Sequence, residues 1–177
     1  IGALKNTGFE IDLKGTLIHT RDFMWRMGVN LTHYKNVVTD LPLKDMPVTG
    51  VTRLKEGRSV YDFYLREWAG VDSDNGDPLW YKNVKDEQGN ITGRTTTNDY
   101  AQADYYYVDK SSLPKVYGGF NTAFSYKGFE LSAIFAYSIG GYIVDRDITM
   151  LWSNGSNPGR AWSTEILKRW TPENRYT

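Results

Sequence analysis

The run "DSDNGD" (Asp72 to Asp77) places three carboxylates within six residues, which is the chemistry of a calcium loop. A twelve-residue calcium loop needs Gly at its sixth position and Glu at its twelfth. Counted from Asp72 those positions hold Asp77 and Asn83, so the spacing favours a solvated turn, the use to which Asp, Asn and Gly are otherwise put. Paired carboxylates also cleave glycosidic bonds when they flank a sugar about 5 to 9.5 Å apart. Glu56, Asp62 and Glu67 are the nearest to such a set, but they sit among basic neighbours that suit ion pairing instead. The chain has no Cys and two His, His19 in a turn and His33 near a strand end. That excludes thiol catalysis and disulfides, and leaves little for a metal site. Nucleophile elbows, phosphate loops and metal-binding helices are likewise missing from the sequence. The expectation is a protein that is not an enzyme, with no catalytic residue, metal or cofactor.

Aromatic side chains are the more informative group. Trp68, Trp80, Tyr81, Tyr105, Tyr106, Tyr107, Trp152 and Trp162 lie in segments without clean periodicity. Their ring faces suit stacking on sugars or packing against a partner protein, and they also serve to fold long connections onto each other. Within "PLWY", "DYYYVD" and the later connection, Trp80, Tyr81, Tyr105, Tyr106 and Trp152 are the expected substrate- or partner-binding residues.

The elements that must position these rings are strands. From Phe9, one side carries Phe9, Ile11, Leu13 and Leu17 and the other Glu10, Asp12, Lys14 and Thr16, a period of two. After the turn "HTRD" the alternation resumes with Phe23, Trp25, Met27, Val29 and Leu31 on one face. A second hairpin turns at "YKGF": Phe120, Phe124 and Tyr126 precede it, and Phe129, Leu131, Ala133, Phe135, Tyr137 and Ile139 follow on one face. Between the hairpins, about 41 to 114 is rich in turn formers, with "SVYDFYLREW" a short strand candidate; so long a connection is usually functional. After about 145, "STEILKRW" reads as one or two helical turns capped by Ser163 and ended by Pro172.

The 21 basic and 21 acidic residues balance to a net charge of +0, which disfavours nucleic acid as a partner. The apolar content suffices for one domain of 177 residues. No apolar run approaches the ~20 residues of a membrane-spanning helix. The chain opens on Ile1 inside an apparent strand, without an initiator Met or signal segment, as expected of a piece of a longer polypeptide.

Two architectures accommodate such hairpins. In a soluble sandwich the apolar face meets a second sheet, and strands run about 5 to 6 residues. In an outer-membrane barrel, strands of about 9 to 11 residues or more turn their apolar side to lipid. Long arms, short turns at one end with long connections at the other, and aromatics beside the short turns favour the barrel.

Five segments then carry a resemblance in order: "NTGFEIDL", "TRDFMWRMGVNLTHYKNVVTDLP", "EGRSVYDFYLREWAGVDSDNGDPLWY", "SSLPKVYGGFNTAFSYKGFELSAIFAY" and "EILKRWTPEN". Together they resemble the C-terminal barrel region of the SusC/RagA family of TonB-linked outer-membrane transporters. Ser73 departs from the family's common Pro, and "VDK" stands where a Gly is common. The resemblance implies an all-β fold, part of a large antiparallel transmembrane barrel of the 22-stranded type. Residues 1–177 would form part of one barrel domain: a hairpin at about 8–39, an extracellular loop at about 40–115, a hairpin at about 116–144 and a loop at about 145–177. It further implies TonB-energised import of large nutrients, oligosaccharides foremost and peptides in some members, in the outer membrane of a Gram-negative bacterium. The implied partners are a SusD-like surface lipoprotein lid, the TonB complex through parts outside this piece, and the lipid bilayer. Phe9, Leu13, Trp25, Val29, Leu131 and Phe135 are expected to face lipid, with Ser132, Ala136 and Ser138 toward the lumen; a charge at Val29 or Leu131 should cost ~2 to 4 kcal/mol. The alternatives are a soluble all-β carbohydrate-binding or adhesion module and, more remotely, a β-rich glycosidase.

Overall fold

Period-two alternation in long runs of β-branched and aromatic residues produces two long antiparallel hairpins, seen in a computed structural model that describes residues 2–44, 46–152 and 158–176. Strands β1 (Ala3–His19) and β2 (Phe23–Asp40) form the first, β8 (Val116–Tyr126) and β9 (Phe129–Ile139) the second. They pair into one sheet of order β1-β2-β8-β9. The first hairpin turns over Thr20 to Asp22, where the Thr20 amide and hydroxyl both donate to the Phe23 carbonyl. The second turns in two residues, Lys127 and Gly128, with φ of 45° and 89°. That is the twist a two-residue hairpin needs to match its strands.

Register makes the alternation of the separate strands into two continuous faces. Val29 lies opposite Leu13 and Phe120, and Phe120 opposite Phe135. One face therefore runs Leu13–Val29–Phe120–Phe135 in one row and Trp25–Phe124–Leu131 in another. The other face carries Glu10, Asp12, Lys14, Arg26, Asn30, Asn121, Glu130 and Ser132 in the alternate rows. On it Arg26 pairs with Glu130 at 3.1 Å and Lys14 with Asp12 at 3.0 Å. One expectation is corrected. A register shift between Thr16 and Ile18 makes Leu17 the extra residue of a bulge, and Ile18, opposite Trp25, takes its place in the apolar row.

The stretch between the hairpins contains regular structure that its mixed composition concealed. Strand β3 (Asp62–Arg66) pairs with β7 (Tyr105–Ser111). Strands β4 (Trp68–Val71), β5 (Pro78–Lys85) and β6 (Ile91–Thr97) form a three-stranded meander, followed by a 3-10 turn at Tyr100–Gln102. The sequence suggested β3; β5, β6 and β7 escaped it because Lys, Asn and Thr break the apolar alternation. The final segment holds a short helix α1 (Arg146–Leu151) and a 3-10 turn (Thr164–Lys168), whose N-cap is Ser163 as expected. No helix among the described residues is long and apolar enough to cross a membrane, which says nothing about strands.

The chain divides into two units, Ile1–Phe63 with Asp109–Tyr142, and Tyr64–Val108 with Ile143–Thr177. Among the described residues the buried side chains are Asn36, Val38, Phe63 and Ala103. The apolar face of the large sheet is not covered by a second layer: Phe129 is 81% and Leu131 70% exposed. A sandwich would have buried these side chains against a facing sheet.

Candidate functional site

The apolar face has the dimensions of a membrane belt. From Phe23 to His33 on β2, and from Phe129 to Ile139 on β9, the outward row spans ten residue steps. At about 3.3 Å per residue that is about 33 Å along the strand, or roughly 25 Å of height at a tilt near 40°. The expected apolar band of a membrane barrel is about 25 Å tall. Its lower rim is aromatic: the Phe124 ring stacks on Trp25 at 5.5 Å and on Phe23 at 6.4 Å, and the Trp25 indole N–H donates to the Thr122 hydroxyl. Rings with an apolar body and a polar tip are suited to such a boundary. Higher up, the Tyr137 ring lies across Gly118 and its hydroxyl donates to the Asn30 carbonyl; a Cβ at Gly118 would come within 2.1 Å of that oxygen.

The polar face receives the following chain segment. The Asn36 side chain is 3% exposed, and its amide donates to Asn6 while its carbonyl oxygen accepts from the Ser59 hydroxyl and the Val60 amide. A buried amide satisfied on both sides fixes where residues 59 and 60 settle, which is over the polar side of β1 and β2.

The five aromatic candidates part company in the other unit, and strand geometry is the reason. Neighbouring residues of a strand point to opposite faces, so Trp80 separates from Tyr81, and Tyr105 from Tyr106. Trp80 meets Trp68 at 5.7 Å and Tyr100 at 5.1 Å. The Arg66 guanidinium lies 4.2 Å from the Tyr100 ring and 4.7 Å from that of Tyr105, and Tyr105 stacks on Tyr64 at 5.4 Å. These contacts make a ladder of alternating rings and one cation, each cation–π contact adding ~0.5 to 1 kcal/mol where exposed. Trp68 and Tyr100, both about half exposed, present its open rim.

Tyr81 and Tyr106 belong to a second cluster. The Arg94 guanidinium lies between their rings, 4.1 Å from each centroid, and pairs with Glu67 at 2.6 Å. The Glu67 carboxylate holds Arg94 above its ordinary range of protonation. Tyr106 donates its hydroxyl to Asn83. With its charge matched and both faces covered, Arg94 braces the meander. Trp152 joins neither cluster; it is the C-cap of α1, its amide donating to the Ile148 carbonyl. Sequence reasoning missed Arg66, Arg94 and Tyr100. A signal for Arg66 was present, since Tyr64 and Trp68 stand two positions to either side of it in a strand-length run, whereas Arg94 lies in a polar run and its ring partners are distant in sequence.

The carboxylates have structural partners. Asp72 accepts from the Asp74 amide, and Asp77 from the side-chain amides of Asn75 and Asn98. This turn is braced by Trp170, whose indole donates to the Ser73 carbonyl and whose ring fills the space beside Gly76, a residue with φ of 80°. Glu56 accepts from the Leu41 amide and Asp62 from the Ser59 amide. His33 contacts the Lys115 carbonyl through Nδ1 and the Phe9 ring at 5.5 Å.

A sheet with one apolar face of membrane height, tight turns at one end and long connections at the other is a wall segment of an antiparallel transmembrane barrel. No family model matches the chain. It is 27% identical over 202 residues to TonB-dependent receptor P3 of Formosa agariphila, covering 100% of this chain and 19% of that protein. It is 27% identical over 157 residues to TonB-dependent receptor SusC of Bacteroides thetaiotaomicron, covering 81% of this chain and 15% of SusC. Among solved structures it superposes on the RagAB peptide transporter with a TM-score of 0.83 and 30% identity, over 99% of this chain and 20% of that one. The open-open state of the RagAB peptide importer gives 0.78 at 28% identity, over 100% and 19%. The chain thus spans about a fifth of the relatives it matches. It is a fragment of a TonB-dependent receptor barrel of the SusC/RagA kind, and its relatives are receptors and transporters, not enzymes.

Proposed function

We propose that the chain forms part of an outer-membrane importer of large nutrients, oligosaccharides foremost, energised through TonB and lidded by a SusD-like surface lipoprotein. The observation that carries the reading is the predominantly apolar face about 25 Å tall, backed by a polar face with ion pairs. In this arrangement Phe9, Leu13, Trp25, Val29, Leu131 and Phe135 meet lipid, and Ser132, Ala136 and Ser138 line the lumen. The tight turns at Thr20 and Lys127 lie on the periplasmic side, and the connections at about 40–115 and 145–177 lie outside the cell. Trp80 and Tyr105, with the exposed rim of Trp68 and Tyr100, supply the ring faces that would touch a sugar or the lid. Tyr81 and Tyr106 support that surface from behind, and Trp152 would contact the lid.

The test uses the complete transporter in its own Gram-negative host. Uptake of a fluorescent oligosaccharide should require an intact TonB system, and the lipoprotein should co-purify with the barrel. The RagAB neighbours transport peptides by their descriptions, which supports peptides as a second cargo. Uptake of a labelled peptide pool, with oligosaccharides ignored, would establish that reading in place of the first.

A further inference from the structure

At the upper end of the apolar belt, the polar face of β1, β2 and β8 carries an open recess of about 640 Å³. Asn6, Glu10, Thr32, His33, Tyr34 and Tyr117 line it, with the backbone from Thr7 to Phe9 as its floor. Register explains the grouping. Thr32 lies opposite Glu10 on one side and Tyr117 on the other, and Tyr34 lies opposite Gly8. A Cβ at Gly8 would meet the His33 carbonyl at 2.1 Å, so glycine lets the strands close up here and keeps a side chain from covering the Tyr34 ring. Tyr34 and Tyr117 stand edge to face, 6.5 Å between centroids at 86°, and Tyr117 is 38% exposed. Tyr34 is eleven positions beyond Phe23, about 36 Å along the strand and roughly 28 Å in height, which puts the recess at the outer mouth.

We infer that this recess is a wall subsite for one uncharged sugar ring of a passing oligosaccharide. The inference rests on the import reading above and adds a site and a selectivity to it. Two tyrosines at right angles offer one ring face for the apolar side of a pyranose and an edge beside it. Asn6, Thr32 and the phenols give neutral donors and acceptors, and the Glu10 carboxylate accepts from neighbouring hydroxyls through charge-assisted hydrogen bonds. Among the described lining residues there is no Lys or Arg, and the His33 ring is engaged through Nδ1 at the Lys115 carbonyl, so a uronate, a sulfate or a peptide carboxylate would meet Glu10 with no fixed cation beside it. The recess therefore favours neutral sugars over acidic ones.

The complete transporter, purified in detergent, is titrated calorimetrically with a panel of neutral oligosaccharides, their uronate counterparts and short peptides. Tyr117→Ala and Tyr34→Ala should weaken neutral-sugar binding roughly five- to ten-fold, about what one aromatic face contributes, while Tyr117→Phe keeps most of it. Glu10→Gln should narrow the preference for neutral over uronate oligomers. If sugars bind and both alanine variants match the wild type, the subsite is overturned and import of oligosaccharides stands. If uronates bind as well as neutral sugars in the wild type, the selectivity is overturned. If only peptides bind, the oligosaccharide reading and the subsite fall together. Circular dichroism and heat-modifiable migration of each variant separate loss of binding from loss of the barrel.

Discussion

Placing a lysine at Val29 tests the orientation of the whole sheet. Val29 is six positions past Phe23, whose row marks the aromatic rim. That is about 20 Å along the strand and about 15 Å in height at a tilt near 40°, close to the middle of a 25 Å band. A lysine there should destabilise the folded barrel by ~2 to 4 kcal/mol. Leu131 shares the apolar face but is two positions from Phe129, only about 5 Å above the rim, where the cost falls to ~0 to 1 kcal/mol because the side chain would reach the interface. Depth counted along the strand thus makes the penalties expected at Val29 and Leu131 unequal. Phe135, six positions past Phe129, is the deeper partner on β9. Asn30, next to Val29 on the opposite face, is the control and should accept lysine with little effect. Guanidinium-dependent folding of the complete barrel into lipid vesicles, read by heat-modifiable migration, measures all four variants. If Asn30→Lys costs as much as Val29→Lys, or Leu131→Lys costs more than Phe135→Lys, the assignment of faces or of depth is wrong.

Other outcomes follow from single contacts. Trp170→Ala removes the indole that holds the Ser73 carbonyl and covers Gly76, so hydrogen exchange around 72–77 should rise by an amount equivalent to about 2 kcal/mol of lost local stability. Gly76→Ala should act in the same direction, since a Cβ would lie 2.5 Å from the Trp170 ring at a φ of 80°. Arg94→Lys keeps the charge but loses the planar stack between Tyr81 and Tyr106, and should lower the melting temperature of the meander while leaving any affinity of the rim proposed at Trp68 and Tyr100 within about two-fold. The Asp86 and Asp99 carboxyls are held below their ordinary range, chiefly by the side-chain amides of Asn90 and Gln102. Their contribution is complete above the ordinary carboxylate pKa near ~4 and disappears as pH falls through the lowered values. Exchange protection of residues 86–102, corrected for intrinsic rates, should hold from pH 8 to about 5 and decline below about 4, and the paired variants Asp86→Asn and Asp99→Asn should flatten that decline.

Much of the large sheet could be read from residue order. Alternation in Phe23 to Leu31 and Phe129 to Ile139 named the apolar rows, because a strand's side chains alternate whatever surrounds it. "KG" named its own turn, since both residues must take positive φ and few pairs do so cheaply. The bulge at Leu17 was not legible, because both Leu17 and Ile18 are apolar and only pairing with Trp25 selects Ile18. In the connections the sequence by itself supplied aromatic residues, a solvated acidic turn and a Ser163 cap. Tertiary structure decided which rings meet: it split Trp80 from Tyr81 and Tyr105 from Tyr106, put Arg66 and Arg94 among them, and brought Trp170 to Ser73 across 97 positions. The physical division is one of range. Alternation, caps and tight turns are settled by a few adjacent residues, whereas ring partners, ion pairs and the depth of a side chain in the belt depend on strands that meet only when the register is set.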